Sequence, residues 1–340
     1  MELEYTNKYK YLGHMQNEQN NLQDHLKCTR AKVEAAYQKL IALTGNATFH
    51  EIEMETIWTV VETCILPIIT YSGEAWGNSK KDYKEANTIY ENILKRILKT
   101  PQSTPREALY IETGLIDPET LIKRNRINMQ QRIKRGSNQM MKTVLTANTK
   151  GGWAQTTEQI KAELQIHEND LNASRATVKK SINKKAMTYF QQKITQEGKD
   201  KSKVQHLLSG RENWQPGKRP EYMNKLTRKQ ASTIFQARTR MLKVKNNYKN
   251  GNSDLMCRLC KEKEETQKHI LEECLKIHTS KETQSIITTE MIFAEDTGKL
   301  KEYAKRISEH METLHMELET KKERTSSKRA TLLPGNVHNE

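Results

Sequence analysis

The chain has 340 residues, of which 35% are hydrophobic and 29% are charged, a composition that excludes one large apolar core and favours several small helical units. No apolar run approaches about 18 residues, and the N-terminus lacks the layout of a secretory signal, so the sequence predicts neither a membrane span nor secretion. The formal net charge is +15, and its position along the chain is more informative than its size.

Apolar residues at spacings of three, four and seven recur in the first 148 residues and predict a helical bundle. The expected helices cover 20–44, 57–66, 89–98 and a long basic stretch, 121–145. A further helix should begin with Thr104 as its N-cap and Pro105 as its first helical residue. Residues 8–13 alternate as a short strand does, and 68–71 are either a second strand or a helix.

A polar stretch, 149–222, follows the break at Gly151-Gly152 and is rich in Lys, Gln, Asn and Ser. We expect an exposed helical connector there, with helices near 156–165 and 170–196 and a linker through 215–220. A second basic helix is predicted over 224–246.

Positive charge is concentrated in two stretches. Residues 120–150 contain eight Lys or Arg and no acidic residue, and residues 218–249 contain ten against the single acid Glu221. Their net charges are +8 and +9, so the rest of the chain is close to neutral. A solvated helix face usually carries both signs, whereas localised positive charge is typical of a nucleic-acid-binding surface.

Three of the five cysteines and one histidine form the pattern Cys257-x2-Cys260-x8-His269-x4-Cys274. Zinc takes four such ligands in tetrahedral geometry, and a site filled by protein leaves no position for a reactive water. The pattern therefore predicts one structural zinc ion bound by these four residues. His278 is an alternative fourth ligand. Five cysteines are an odd number and three of them are assigned to metal, which indicates a reducing compartment, so we also expect an intracellular location, nuclear or cytoplasmic.

Apolar residues between Leu300 and Leu318 repeat at intervals of four and three, which predicts a helix. A helix of this length is expected to pack on its own domain, and a coiled coil is the alternative. Residues 321–340 are polar and are predicted to be a disordered tail.

Several segments together resemble the C-terminal part of non-LTR (LINE-type) retrotransposon reverse transcriptases. Tyr11-Leu12-Gly13 and the following helix are similar to the end of the palm and the start of the thumb in that family, and residues 65–76 are similar to its helix-Pro-Tyr-Gly-x-x-x-Trp segment. Leu226-Thr227-Arg228, residues 236–239 and the cysteine-histidine pattern resemble the basic helix and CCHC zinc knuckle of the same family.

The resemblance implies a mostly α fold with a thumb-like helical bundle. The resemblance covers about 8–135 and 223–276. Together with composition and periodicity it gives five domains: a palm-end strand and thumb-like helices over 1–148, a polar helical connector over 149–222, a basic helix with the zinc knuckle over 223–280, C-terminal helices over 281–320 and the tail over 321–340.

The family's catalytic residues are missing from this chain. Polymerases of this kind use adjacent aspartates to hold two divalent cations. None of the seven aspartates here is next to another, and by the resemblance the chain begins just after the catalytic hairpin. We therefore expect a nucleic-acid-binding fragment without chemistry of its own, with RNA or DNA as its partner.

By the same resemblance, basic side chains on two helices would contact backbone phosphates. Those on the first helix are Lys123, Arg124, Arg126, Arg132, Lys134 and Arg135. Those on the second are Arg228, Lys229, Arg238, Arg240, Lys243 and Lys245. Two alternatives stay open at this point: a polymerase subunit completed by a separate catalytic half, and a zinc-stabilised scaffold for protein interactions.

Overall fold

A computed structural model of the chain describes residues 6–19, 21–45, 48–76, 79–146, 152–247, 254–278 and 286–330. The protein is mostly helical, as predicted, and the described residues contain one two-stranded sheet. The chain divides into two compact units, residues 1–228 and 229–340. A helix long and apolar enough to cross a membrane is not found among the described residues.

The first unit begins with a β-hairpin and four helical segments. Strands β1 (Lys8–Tyr11) and β2 (His14–Asn17) pair antiparallel, with Tyr11 opposite His14. The helical segments that follow are α1 (Gln23–Thr44), α2 (Met54–Val60), α3 (Leu66–Thr70) and α4 (Gly73–Trp76), with a π-helical turn, Val61–Ile65, between α2 and α3. The second strand candidate, 68–71, is therefore largely helical.

Four more helices complete the first 148 residues: α5 (Lys80–Ile97), α6 (Arg106–Thr113), α7 (Pro118–Arg135) and α8 (Gln139–Thr146). The long basic helix predicted over 121–145 is two helices, because the Asn138 side chain accepts a hydrogen bond from the Met141 amide (3.1 Å) and starts a new one. Thr104 does not cap α6. Its hydroxyl bonds that of Thr100 (2.5 Å), and Pro105 holds the N-cap position.

Residues 152–228 are part of the first unit, and the prediction of an exposed connector there was wrong. They form α9 (Trp153–Glu163), α10 (Arg175–Gly198), α11 (Ser202–Ser209) and α12 (Tyr222–Lys225). Every fourth residue of α10 from Val178 to Ile194 is buried, which gives this polar helix one continuous apolar seam. Phe190 in that seam packs edge-on against Tyr110, with ring centroids 5.4 Å apart.

Buried charges also join α10 to α7. Lys193 of α10 pairs with Asp117 (2.8 Å) and Glu119 (2.7 Å) at the start of α7. Lys123, one turn further along α7, pairs with Glu119 (2.6 Å) and Glu163 (2.7 Å). Since each cation has carboxylate partners, this network satisfies charges that would otherwise be costly to bury.

The first unit is closed by residues 217–228, here called the closing segment. The Gly217 amide donates to the Gly114 carbonyl (2.7 Å), the Trp58 indole donates to the Met223 carbonyl (3.0 Å), and the Met54 amide donates to the Leu226 carbonyl (3.0 Å). These bonds attach the closing segment to the end of α6 and to α2.

The second unit contains most of α13 (Arg228–Arg238), a cysteine-rich segment, α14 (Thr289–Ile292) and α15 (Thr297–Ala330). Helix α13 ends earlier than the predicted 224–246, and Arg240 beyond it has a positive φ of 53° that no α-helix continues through. Leu300, Ala304 and Ile307 of α15 are buried, as expected for a helix packed on its own domain. Residues 321–330, predicted as tail, continue α15, and 331–340 lie outside the described residues.

Candidate metal centre

A tight turn brings Cys257 and Cys260 together. The Cys257 amide donates to the Lys263 carbonyl (2.7 Å), and the Lys261 amide donates back to the Cys257 carbonyl (3.1 Å). Lys261 takes a positive φ of 62°, which reverses the chain, and Met256 pairs with Glu264 across the turn. Both thiols therefore face the same side of the turn.

The other two ligands lie at the ends of a π-helical turn, His269–Glu273. In an α-helix, residues five apart point about 140° away from each other, so His269 and Cys274 would diverge. The wider turn, closed by a bond from the Cys274 amide to the His269 carbonyl (2.7 Å), brings them to one side. Ile270 and Leu271 within the turn are buried and supply the expected apolar backing.

One ligand atom from each of Cys257, Cys260, His269 and Cys274 lies within 4.8 Å of the others. The Cys257 and Cys274 sulfurs are 3.9 Å apart, and Cys260 Sγ is 3.3 Å from His269 Nε2. Tetrahedral zinc requires about 3.8 Å between two sulfurs and about 3.6 Å between sulfur and nitrogen. The four predicted residues thus form a group that fits a metal ion of zinc's size, and the rival ligand His278 is outside it.

Without a metal, the pKa values of the clustered residues shift in different directions. Burial, together with the neighbouring Cys257 thiol, raises the pKa of Cys274 to about 12. Burial alone would raise the pKa of Cys260 as well, but the amides of Glu262 and Lys263 lower it overall. Burial lowers the pKa of His269, which keeps its ring neutral and able to bind metal. A divalent cation would offset the repulsion that opposes ionisation of the neighbouring thiols.

Sequence reasoning missed the charged pair beneath the cluster. The carboxylate of Glu265 is fully buried and accepts from the Arg258 guanidinium (2.7 Å), the Arg258 amide (3.0 Å) and the Lys245 amide (2.8 Å). Gln267 donates to the Ala237 carbonyl (2.7 Å) and so attaches the cluster to the end of α13. Residues 261–269 around Glu265 are all charged or polar, so no apolar pattern in the sequence signalled its burial.

Four of the twelve predicted phosphate-contacting residues are buried: Lys123, Arg126, Arg228 and Arg238. Lys123 belongs to the network between α7 and α10. Arg126 donates to the Thr157 hydroxyl (2.9 Å) and to the Trp153 carbonyl (3.0 Å). The charged groups of Lys123 and Arg126 are surrounded by these partners and have no room for a phosphate. The predicted phosphate contact therefore does not fit these two residues, and the same holds for the buried Arg228 and Arg238.

The other two buried arginines cap helices. Arg228 donates to the carbonyls of Ile97 (2.8 Å) and Arg96 (2.9 Å) at the end of α5. Arg238 donates to the carbonyls of Ile292 (2.9 Å) and Ala294 (3.2 Å) at the end of α14. Carbonyls at a helix C-terminus have no partner within the helix, and a cation there also interacts favourably with the helix dipole.

Eight predicted residues remain accessible. Arg132, Lys134, Arg135, Lys229, Arg240 and Lys243 are exposed, and Arg124 and Lys245 are half-buried. The first three lie together at the C-terminal end of α7 in the first unit, and Arg240 and Lys243 lie between α13 and the metal cluster in the second. Comparison with protein-family models, curated proteins and solved structures found no match.

Proposed function

We propose that the chain is a nucleic-acid-binding protein whose second unit is stabilised by one structural zinc ion. The observation that carries this proposal is the grouping of Cys257, Cys260, His269 and Cys274, whose ligand atoms lie within 4.8 Å of one another, in a unit that also has exposed basic residues. Four protein ligands leave no open position for water or substrate, which favours a structural ion over a catalytic one.

Nucleic-acid binding is supported by the cations that the structure leaves exposed. Each of the two units has its own group, at the end of α7 in one and around residues 229–243 in the other. Exposed Arg and Lys without a matching number of acids bind phosphates largely by releasing counterions, a contribution that depends little on base sequence. We expect binding to duplex and single-stranded nucleic acids with little sequence preference.

The similarity of residues 8–135 and 223–276 to LINE-type reverse transcriptases supports a common origin with the C-terminal part of those enzymes. We propose that this chain grips template, primer or target and leaves DNA synthesis to residues it does not contain, because its aspartates are all isolated in sequence. Incorporation of dNTPs by the purified chain on a primed RNA template would refute this part of the proposal.

Fluorescence anisotropy with labelled duplex DNA tests the binding. Between about 50 and 200 mM salt, the slope of log K against log salt should be about −4 or steeper. Changing Lys229, Arg240 and Lys243 to Gln should flatten the slope by about 2–3, since each phosphate contact contributes about −0.9.

The matched control changes three exposed lysines of α15, Lys299, Lys301 and Lys305, to Gln and should leave the slope unchanged. Equal affinity at both salt concentrations for the wild-type chain would contradict nucleic-acid binding. Salt-insensitive association with a protein would then favour the interaction scaffold.

A further inference from the structure

A pocket of about 480 Å³ lies between α4, α7 and α10 in the first unit, and we call it the α7–α10 pocket. Its charged lining comes from Glu74, Arg132, Arg135, Arg175 and Lys179. Four cations and one carboxylate leave a net charge of +3. The volume is in the range of small-ligand sites, about 300–1,000 Å³.

The cations of this pocket are largely uncommitted. Within the part of the chain that the structure describes, the side chains of Arg132, Arg175 and Lys179 have no hydrogen-bond or ion-pair partner. Arg135 donates to the carbonyls of Leu171 (2.9 Å) and Ala173 (2.8 Å), which fixes the chain just before α10 and orients the start of that helix next to α7. Contacts within the protein therefore explain the position of Arg135 but not that of the other three cations.

An unpartnered amide points to a ligand independently of the charge. Gln131 also lines the pocket, is only 8% exposed, and its side-chain Nε2 has no acceptor among the described residues. A buried donor without an acceptor is rare because it loses its hydrogen bonds to water. A ligand with acceptor oxygens would neutralise the cations, and a change of the Gln131 rotamer towards the pocket would give its Nε2 an acceptor on the same ligand.

We infer that the α7–α10 pocket binds an oligophosphate, meaning two or more phosphate groups held close together. Phosphate oxygens accept hydrogen bonds only, and Arg matches them with two parallel donors. Several adjacent negative charges are needed to balance a net charge of +3, so a single carboxylate is a poor fit. Neighbouring phosphodiesters of a single strand and a free inorganic or nucleotide oligophosphate share this chemistry.

This inference deepens the proposed nucleic-acid binding by giving it a defined site with residues of α10 that the sequence did not single out. Inorganic tripolyphosphate and a labelled oligothymidine serve as the two probes, in titration calorimetry and fluorescence anisotropy respectively. The pocket variant is Arg175→Gln/Lys179→Gln. The matched control is Lys180→Gln/Lys184→Gln, which removes two charges at the same spacing from exposed positions of α10 outside the pocket.

Wild-type protein should bind one tripolyphosphate, and the pocket variant should bind it about tenfold or more weakly. Gln131→Leu keeps the side-chain volume, removes the donor and should also weaken binding, with circular dichroism as the check that it folds. The oligothymidine salt slope should flatten by about 1.4 in the pocket variant, at about 0.7 per contact. The control should stay within about twofold of wild type for both probes.

The outcomes separate the two proposals. Equal weakening by the pocket and control variants, or no tripolyphosphate binding, overturns the site. If oligothymidine binds and the pocket variant is unaffected, nucleic-acid binding stands and the site fails. If tripolyphosphate binding depends on the pocket but oligothymidine does not bind, the site stands with a free oligophosphate as its ligand and the proposed function fails.

Discussion

The most direct prediction concerns loss of one metal ligand. Cys274 is fully buried and lies 3.9 Å from Cys257, so it cannot be replaced by water without opening the cluster. Structural zinc sites contribute about 10–16 kcal/mol in small peptides, and an even share among four ligands is about 2.5–4 kcal/mol. Cys274→Ser should therefore weaken zinc binding by about two to three orders of magnitude.

The assay combines zinc analysis of the purified protein with hydrogen exchange. Wild-type protein should hold one zinc per chain. In the variant, and in wild-type protein treated with a strong chelator, the amides of Cys257, Glu265 and Cys274 should lose protection, because their backbone bonds lie within the cluster. Helices α5 and α7 in the other unit should keep theirs.

Cys64→Ser is the matched control, since Cys64 is an exposed thiol outside the group. It should change neither zinc content nor exchange. Full zinc content in Cys274→Ser would show that Cys274 is not a required ligand, and unchanged protection of residues 254–278 after chelation would show that these residues do not depend on a metal.

Three further predictions concern the first unit. Arg228→Met should lower the free energy of unfolding of this unit in urea by about 2–4 kcal/mol, because the carbonyls of Arg96 and Ile97 lose their donor. The DNA affinity of the folded protein should stay within about twofold. A large loss of affinity without destabilisation would favour a phosphate contact of Arg228 instead. Burial, with smaller contributions from His14 and Lys32, lowers the pKa of His25 from 6.5 to about 4. Below pH 6.5 the unfolded chain binds a proton that the folded chain does not, so stability should fall by about 3 kcal/mol as the pH drops from 6.5 to 4, and His25→Gln should remove most of this dependence in thermal unfolding. Gly73→Ala would place a Cβ 2.6 Å from Ile122 Cγ1 and should lower the free energy of unfolding by about 1–3 kcal/mol. Combined with Ile122→Ala, the loss should be smaller than the sum of the two single losses, and strict additivity would exclude the clash.

The metal cluster could be predicted from the sequence because few residue types bind zinc and their spacing is restrictive. The helices α1 and α5 could be predicted from apolar spacing. The π-helical turn that aligns His269 with Cys274 could not, because it differs from an α-turn by one residue of hydrogen-bond register and leaves no mark in composition.

The positions of the cations were harder to predict. Lys123 and Lys134 belong to the same basic helix, yet one is buried in an ion network and the other is exposed. A signal was present, since Lys123 and Arg126 share the helix face of Ile122 and Ile127. Likewise, the repeat of Val178, Ile182, Ala186, Phe190 and Ile194 at every fourth residue marked α10 as a packed helix despite its polar composition.

The closing segment has a consequence for how the chain folds during synthesis. Arg228 donates to the carbonyl of Ile97 at the end of α5, 131 residues earlier in the chain. The Trp58 indole donates to the carbonyl of Met223, 165 residues later. Contacts this distant in sequence form late and slowly. A ribosome-bound chain that has emerged only to residue 148 would expose the surfaces that α10 and the closing segment cover, which makes it a candidate for chaperone binding. The first unit can therefore become stable only when the chain has emerged to about residue 228.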